Sequence, residues 1–145
     1  MVSGDIVLEL PYQNPPLSMN DRKHHMARAR ITRQIRSTTA WLAKQAKVPI
    51  GLEHIRVTVF ALARQARVWI GCAHVTVGLH YRPRDNRRRD ADNLMPVLKA
   101  ACDGLVDYGL TADDTPELMQ KLMPIIHPAE KGRPGSLWLT IGDPQ

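Results

Sequence analysis

Hydrophobic residues alternate with polar ones at 55–63 and at 73–81, and such a period of two predicts strands with one buried face. Further short strands are expected at 6–10, from about 119 to 126, and at 137–141. Segments 55–63 and 73–81 are predicted to pair antiparallel. Residues 117–127 also fit a helix, and their place between an acidic pair and the last strand favours a strand.

Two longer segments have apolar residues at helical spacing. The first is Asp21–Lys47, whose cationic residues lie largely off the apolar face. The second runs from Leu94 to Tyr108, with Pro96 in the first turn and Gly109 at the expected C-cap. The sequence therefore predicts one α+β domain over 1–145, with a small mixed sheet flanked by two main helices.

Composition restricts the class of protein. The 145 residues are 43% hydrophobic, which favours a folded core, and the formal charge of +6 suggests a polyanionic partner. Cys72 and Cys102 form no disulfide framework, and neither a signal peptide nor a membrane span is recognisable. We expect a soluble cytoplasmic protein without a membrane partner.

Charge is concentrated in one stretch of the chain. Five of the eight residues from 82 to 89 are arginines, and Asp90 and Asp92 follow directly. On extended backbone two such carboxylates point to the same side and repel one another unless a cation lies between them. Mg²⁺ or Mn²⁺ satisfies that need. Asp114 can add a third carboxylate if the chain returns past the loop.

Each of these features has a plainer interpretation. Arginines beside carboxylates can form a charge-balanced surface, and an Asp-x-Asp pair can cap a helix. Around the helix axis, Lys99 lies within about 20° of Asp92 on one side and Asp103 within about 20° of it on the other. Lys99 can therefore reach a phosphate or form a surface ion pair with Asp103. The histidines, among them His74 and His80, are expected to be structural.

Taken together, these residues resemble the RusA family of Holliday junction resolvases carried by phages and prophages. The similarity rests on Pro15-Pro16-Leu17-Ser18-Met19-Asn20, Arg88-Arg89-Asp90-Ala91-Asp92-Asn93-Leu94, Leu98-Lys99-Ala100, Asp103-Gly104-Leu105, Gly109-Leu110 and Asp113-Asp114. Segments 94–96 and 64–71 are longer here than in the shortest members of the family.

The resemblance implies a Mg²⁺-dependent homodimer in a bacterial or phage-infected cell that cuts four-way DNA junctions symmetrically. It implies that Asp90, Asp92 and Asp114 are catalytic metal ligands and that Lys99 is the catalytic lysine. The cations expected to hold DNA are Arg82, Arg84, Arg87, Arg88, Arg89, Arg22 and Lys23. The alternatives are a nucleic-acid-binding protein without catalysis and a nuclease for other branched DNA.

Overall fold

A computed structural model describes residues 6–20, 22–48, 75–111 and 113–142. In chain order the elements are β1 (Ile6–Leu10), α1 (His25–Gln45), β2 (Val75–Arg82), a 3₁₀ turn (Ala91–Leu94), α2 (Met95–Tyr108), β3 (Met119–Lys121), β4 (Ile125–Ile126) and β5 (Ser136–Gly142). The predicted mixture of helices and strands is confirmed. The strand predicted at 55–63, and its antiparallel pairing, lie outside the described residues.

The described strands form one mixed sheet. Strand β5 lies between β1 and β2 and is antiparallel to both, with Leu139 opposite Leu8 on one side and Leu79 on the other. Strands β3 and β4 pair parallel with successive parts of β2. The single strand predicted from about 119 to 126 is thus two short ones. Pro124 lies between them and has no N–H to donate to a ladder.

The hydrophobic core lies between one face of the sheet and the helices. Alternate residues of β2 and β5 are buried there together with the apolar stripe of α2; they include Val77, Leu79, Tyr81, Leu137, Leu139, Ile141, Leu98 and Leu105. Helix α1 packs mainly on α2. The helices approach so closely at Gly104 that an added Cβ would lie 2.4 Å from the Arg36 carbonyl oxygen.

The ends of α2 follow the sequence signals with one difference. Pro96 lies in the first turn, and Gly109 ends the helix with a φ of 101°. Leu94 occupies the N-cap position instead of Asp92 or Asn93, because the 3₁₀ turn precedes the helix without a break. The connection that carries the acidic motif is therefore a tight turn placed against the core by the buried side chain of Leu94.

The opposite face of the sheet contains a small polar group. His80 contacts His127 through ring nitrogens 2.9 Å apart and the Thr140 hydroxyl at 3.0 Å, and its ring stacks on Trp138. This confirms the structural role predicted for His80, whereas His74 lies outside the described residues. None of the helices in the described segments is both long and apolar enough to cross a membrane.

Candidate metal and nucleic-acid site

Arg89 braces the loop that joins β2 to the 3₁₀ turn. Its guanidinium donates to the Asp85 carboxylate at 2.7 Å and to the main-chain carbonyls of Asp85 and Arg87 at 2.9 and 3.0 Å. The hydrogen bond from Arg89, followed by the one from the Arg87 N–H, holds the pKa of Asp85 below its usual range. Arg89 therefore fixes the loop and has little freedom to follow DNA.

The other arginines of the loop differ in what they face. Arg84 and Arg87 have side chains 73% and 81% exposed and lie at the edge of ion-pair distance from Asp85. Arg88 is also exposed. Arg82 is 16% exposed and lines a different pocket, beside Glu9 and Trp138. The structure thus directs Arg84, Arg87 and Arg88 to solvent, while Arg82 follows the other face of the sheet.

Two further cations predicted to bind DNA precede α1. Arg22 and Lys23 are both exposed, two and three residues after Asn20. The side-chain amide of Asn20 donates to the side-chain oxygen of Asn93 at 3.2 Å, so this segment is tied to the acidic motif. Arg22 and Lys23 therefore follow, within three residues in the sequence, a side chain that contacts the acidic motif.

Asp90 and Asp92 are both exposed. Asp90 occupies the N-cap position of the 3₁₀ turn with extended backbone, yet its side chain makes no capping hydrogen bond. Within the described segments, neither carboxylate forms an ion pair or a side-chain hydrogen bond. The interpretation of these two residues as caps or ion-pair partners is thus not realised in the structure.

The backbone at Asp92 differs from the expectation. Asp90 has the extended backbone that was expected, whereas Asp92 lies inside the 3₁₀ turn. In a 3₁₀ turn successive residues are rotated by about 120°. Convergence of the two carboxylates therefore depends on their side-chain rotamers, not on strand alternation as the sequence suggested.

A pocket of about 270 Å³ opens beside Asp90. It is lined by residues of the N-terminal loop, the arginine run, the 3₁₀ turn and β4: Pro15, Ser18, Tyr81, Arg88, Arg89, Asp90, Asn93, Leu94 and Ile126. Arg28 of α1 donates to the Ser18 carbonyl at 3.2 Å and holds the N-terminal loop in place. The segments 15–20 and 88–94, which are far apart in sequence, thus meet at one concave surface.

Asp114 lies between two lysines. Its Oδ2 accepts from Lys121 Nζ at 2.6 Å and from Lys99 Nζ at 2.7 Å, and Lys99 also contacts Asp103 Oδ1 at 3.1 Å. The hydrogen bonds from Lys121 and Lys99 hold the pKa of Asp114 well below its usual range. The bond to Asp114 raises the pKa of Lys99. Lys99 therefore forms the ion pair with Asp103 and binds Asp114 as well.

The structure brings Asp114 to Lys99 but does not gather the three predicted carboxylates into one cluster. In the described part of the chain, no three acidic, histidine or cysteine side chains are close enough together to hold a metal ion. Lys99, which binds Asp114, is seven residues beyond Asp92 in the sequence.

Three contributors were missed by the sequence reasoning. Lys121 holds Asp114, Asp85 holds Arg89, and Asn20 binds Asn93. The contact between Asn20 and Asn93 joins two of the segments on which the family resemblance rests, so the resemblance could have suggested it. The role of Lys121 depends on the parallel pairing of β3 with β2, which the ambiguous pattern of 117–127 did not reveal.

A scan of protein-family models gives no match to the chain, and a search of curated proteins finds no similar protein. The assignment of a function therefore rests on the residues and their geometry.

Proposed function

We propose that the protein is a Mg²⁺-dependent endodeoxyribonuclease that resolves four-way DNA junctions by paired symmetric nicks. The observation that carries the proposal is the pair of exposed carboxylates, Asp90 and Asp92, which lack intramolecular partners in the described chain. Cations are abundant a few residues away, yet Arg84, Arg87 and Arg89 lie within ion-pair distance of Asp85 instead. Carboxylates left unpaired beside cations are suited to an added metal ion.

The ligand chemistry fits magnesium. Asp90 and Asp92 offer hard oxygen donors, which Mg²⁺ binds together with water and substrate phosphate oxygens. When bound, such an ion neutralises charge on a phosphodiester and makes water a stronger acid. Arg84, Arg87 and Arg88 would hold the DNA phosphates around it, since guanidinium binds phosphate through two parallel hydrogen bonds.

Asp114 and Lys99 form the second half of the proposed site. Asp114 binds the ammonium group of Lys99, whose side chain is 59% exposed. Lys99 is in a position to approach the phosphate or the leaving oxygen of a bound strand. For Asp114 to become a third metal ligand, it would have to exchange a lysine for the ion. Lys121 would then retain Asp114 near the site.

A homodimer suits this substrate. A four-way junction has two strands to cut that are related by two-fold symmetry, and a two-fold protein presents one site to each. The same chemistry on a three-way junction or a flap would not need that symmetry. Substrate choice therefore tests the dimer and the junction selectivity together.

A second candidate is a nucleic-acid-binding protein without hydrolysis. The observation in its favour is Asp114, whose charge is already neutralised by Lys121 and Lys99. This candidate leaves Asp90 and Asp92 without a role, and it predicts no cleavage at any metal concentration.

The experiment is a cleavage assay on four-way, three-way and linear DNA, with and without Mg²⁺. We expect paired nicks in the four-way junction only when Mg²⁺ is present. Asp90→Asn should bind the junction and fail to cut it. The matched control is Asp107→Asn. It removes a carboxylate near the C-terminal end of α2 that is bonded to Arg36 of α1, and this variant should cut the junction normally. Full cleavage by Asp90→Asn would remove this residue from the mechanism.

A further inference from the structure

Helix α1 has an exposed side that carries positive charge only. At 100° per residue, six positions fall within a band of about 80°. We name this band the basic stripe, and it consists of Met26, Arg30, Arg33, Ser37, Trp41 and Lys44. All six are exposed, whereas Ile35, Thr39 and Ala43 on the opposite side are buried.

The basic stripe differs from an ordinary solvated helix surface. The 21 residues of α1 include no aspartate or glutamate, so no opposite charge lies three or four positions away from any cation of the helix. Arg33 instead has Arg30 and Arg36 as its i−3 and i+3 neighbours, and like charges at that spacing destabilise a helix. Arg36 is paired with Asp107, while Arg30, Arg33 and Lys44 form no ion pair with the described carboxylates.

The basic stripe lies on the side of α1 opposite Arg28, whose guanidinium donates to the carbonyl of Ser18 in the loop that lines the pocket. From Arg30 to Lys44 the rise is about 21 Å, which corresponds to roughly six base pairs along a duplex. An exposed Trp41, 59% accessible, lies among the cations near the far end.

From this arrangement we infer that the basic stripe of α1 binds the phosphate backbone of a DNA duplex. Charge complementarity selects this occupant, because three unpaired cations along one helix match a line of phosphates. A membrane surface is less suitable, since the apolar side of α1 is buried in the core. The inference rests on the proposed function only for the choice of DNA as the polyanion.

The test measures binding of a linear duplex in EDTA, where no metal-dependent cleavage interferes. The double variant Arg30→Gln/Arg33→Gln should lose two phosphate contacts. The negative slope of log K against log salt concentration should then become shallower by about 1.8, and binding should weaken roughly tenfold or more. The matched control is Arg30→Lys/Arg33→Lys, which keeps both charges and should keep the slope. Lys131→Gln removes a charge outside α1 and should also keep it.

A second variant separates binding from folding. Arg33→Glu replaces two repulsive i,i+3 contacts with two attractive ones, so Tm should rise by about 1–4 °C while duplex affinity falls. An unchanged salt slope in the glutamine variant would overturn the inference, as would binding of anionic vesicles in preference to duplex. If the wild-type protein cuts no DNA junction with Mg²⁺ present and the slope still changes in the glutamine variant, the nuclease assignment fails and the basic stripe stands.

Discussion

Replacing Asp114 by asparagine isolates the best-defined charge cluster in the molecule. The substitution keeps the size of the side chain and removes the charge that Lys121 and Lys99 share. An exposed ion pair contributes about 0–1 kcal/mol, which suits Lys99 with its 59% exposed side chain. The bond from Lys121 joins side chains 25% and 17% exposed and should contribute about 1.5–3 kcal/mol. We expect the free energy of unfolding to fall by roughly 1.5–4 kcal/mol and Tm by roughly 5–10 °C.

The effect should depend on pH in a defined way. The pKa of Asp114 is lower in the folded protein than in the unfolded chain, so its stabilisation is present above the unfolded value, about 3.9. It is lost as the pH falls through the folded pKa, because a protonated Asp114 resembles asparagine. The unfolding free energies of wild type and Asp114→Asn should therefore differ at about pH 7, and the difference should shrink progressively as the pH falls below about 3.9.

The assay is urea unfolding of both proteins at several pH values. The control is Asp113→Asn, because Asp113 uses an oxygen to accept the N–H of Asp114 and asparagine retains that oxygen. This control should lose little stability at any pH. A difference below about 0.5 kcal/mol between wild type and Asp114→Asn at about pH 7, or one that does not change with pH, would refute the reasoning.

Other predictions concern the core and the two lysines. Gly104→Ala should destabilise the protein by roughly 1–3 kcal/mol in urea unfolding, because the new methyl group meets the backbone of Arg36, and an unchanged midpoint would contradict the close approach of the helices. Lys121→Gln should lower Tm more than Lys99→Gln in thermal melts, because Lys121 is the less exposed partner of Asp114. Lys99→Gln should instead cause the larger loss of junction cleavage, which the cleavage rates of both variants measure. In a Cys72→Ser background, Cys102 should resist iodoacetamide at about pH 8 until the protein unfolds, because burial raises the pKa of its thiol to about 12; rapid alkylation of the native protein would count against this.

Local patterns in the sequence predicted the described elements well. The α2 stripe, the position of Pro96 and the left-handed Gly109 follow from side-chain spacing and backbone preference alone. The interruption of the strand at Pro124 could also have been predicted, because proline has no N–H to donate to a neighbouring strand. Such features depend on neighbours within one turn or one strand.

The candidate site depended on contacts between distant segments, and there the sequence was less informative. The meeting of 15–20 with 88–94 requires the docking of the N-terminal loop by Arg28. The arginines of the run look equivalent in sequence. The path of the loop determines that Arg89 binds Asp85 closely whereas Arg87 faces solvent. The position of Asp114 follows from β3 pairing parallel with β2, so its lysine partners could not be read from spacing.

The most direct test of the proposal is a titration with Mn²⁺, followed by the paramagnetic signal of the free ion. Asp90 and Asp92 are proposed to hold the metal, so Asp90→Asn and Asp92→Asn should each weaken binding by an order of magnitude or more, and the double variant should abolish it. Asp107→Asn, which lies outside the site, should bind like wild type. Equal Mn²⁺ binding by wild type and the double variant would contradict the assignment of these two carboxylates as metal ligands.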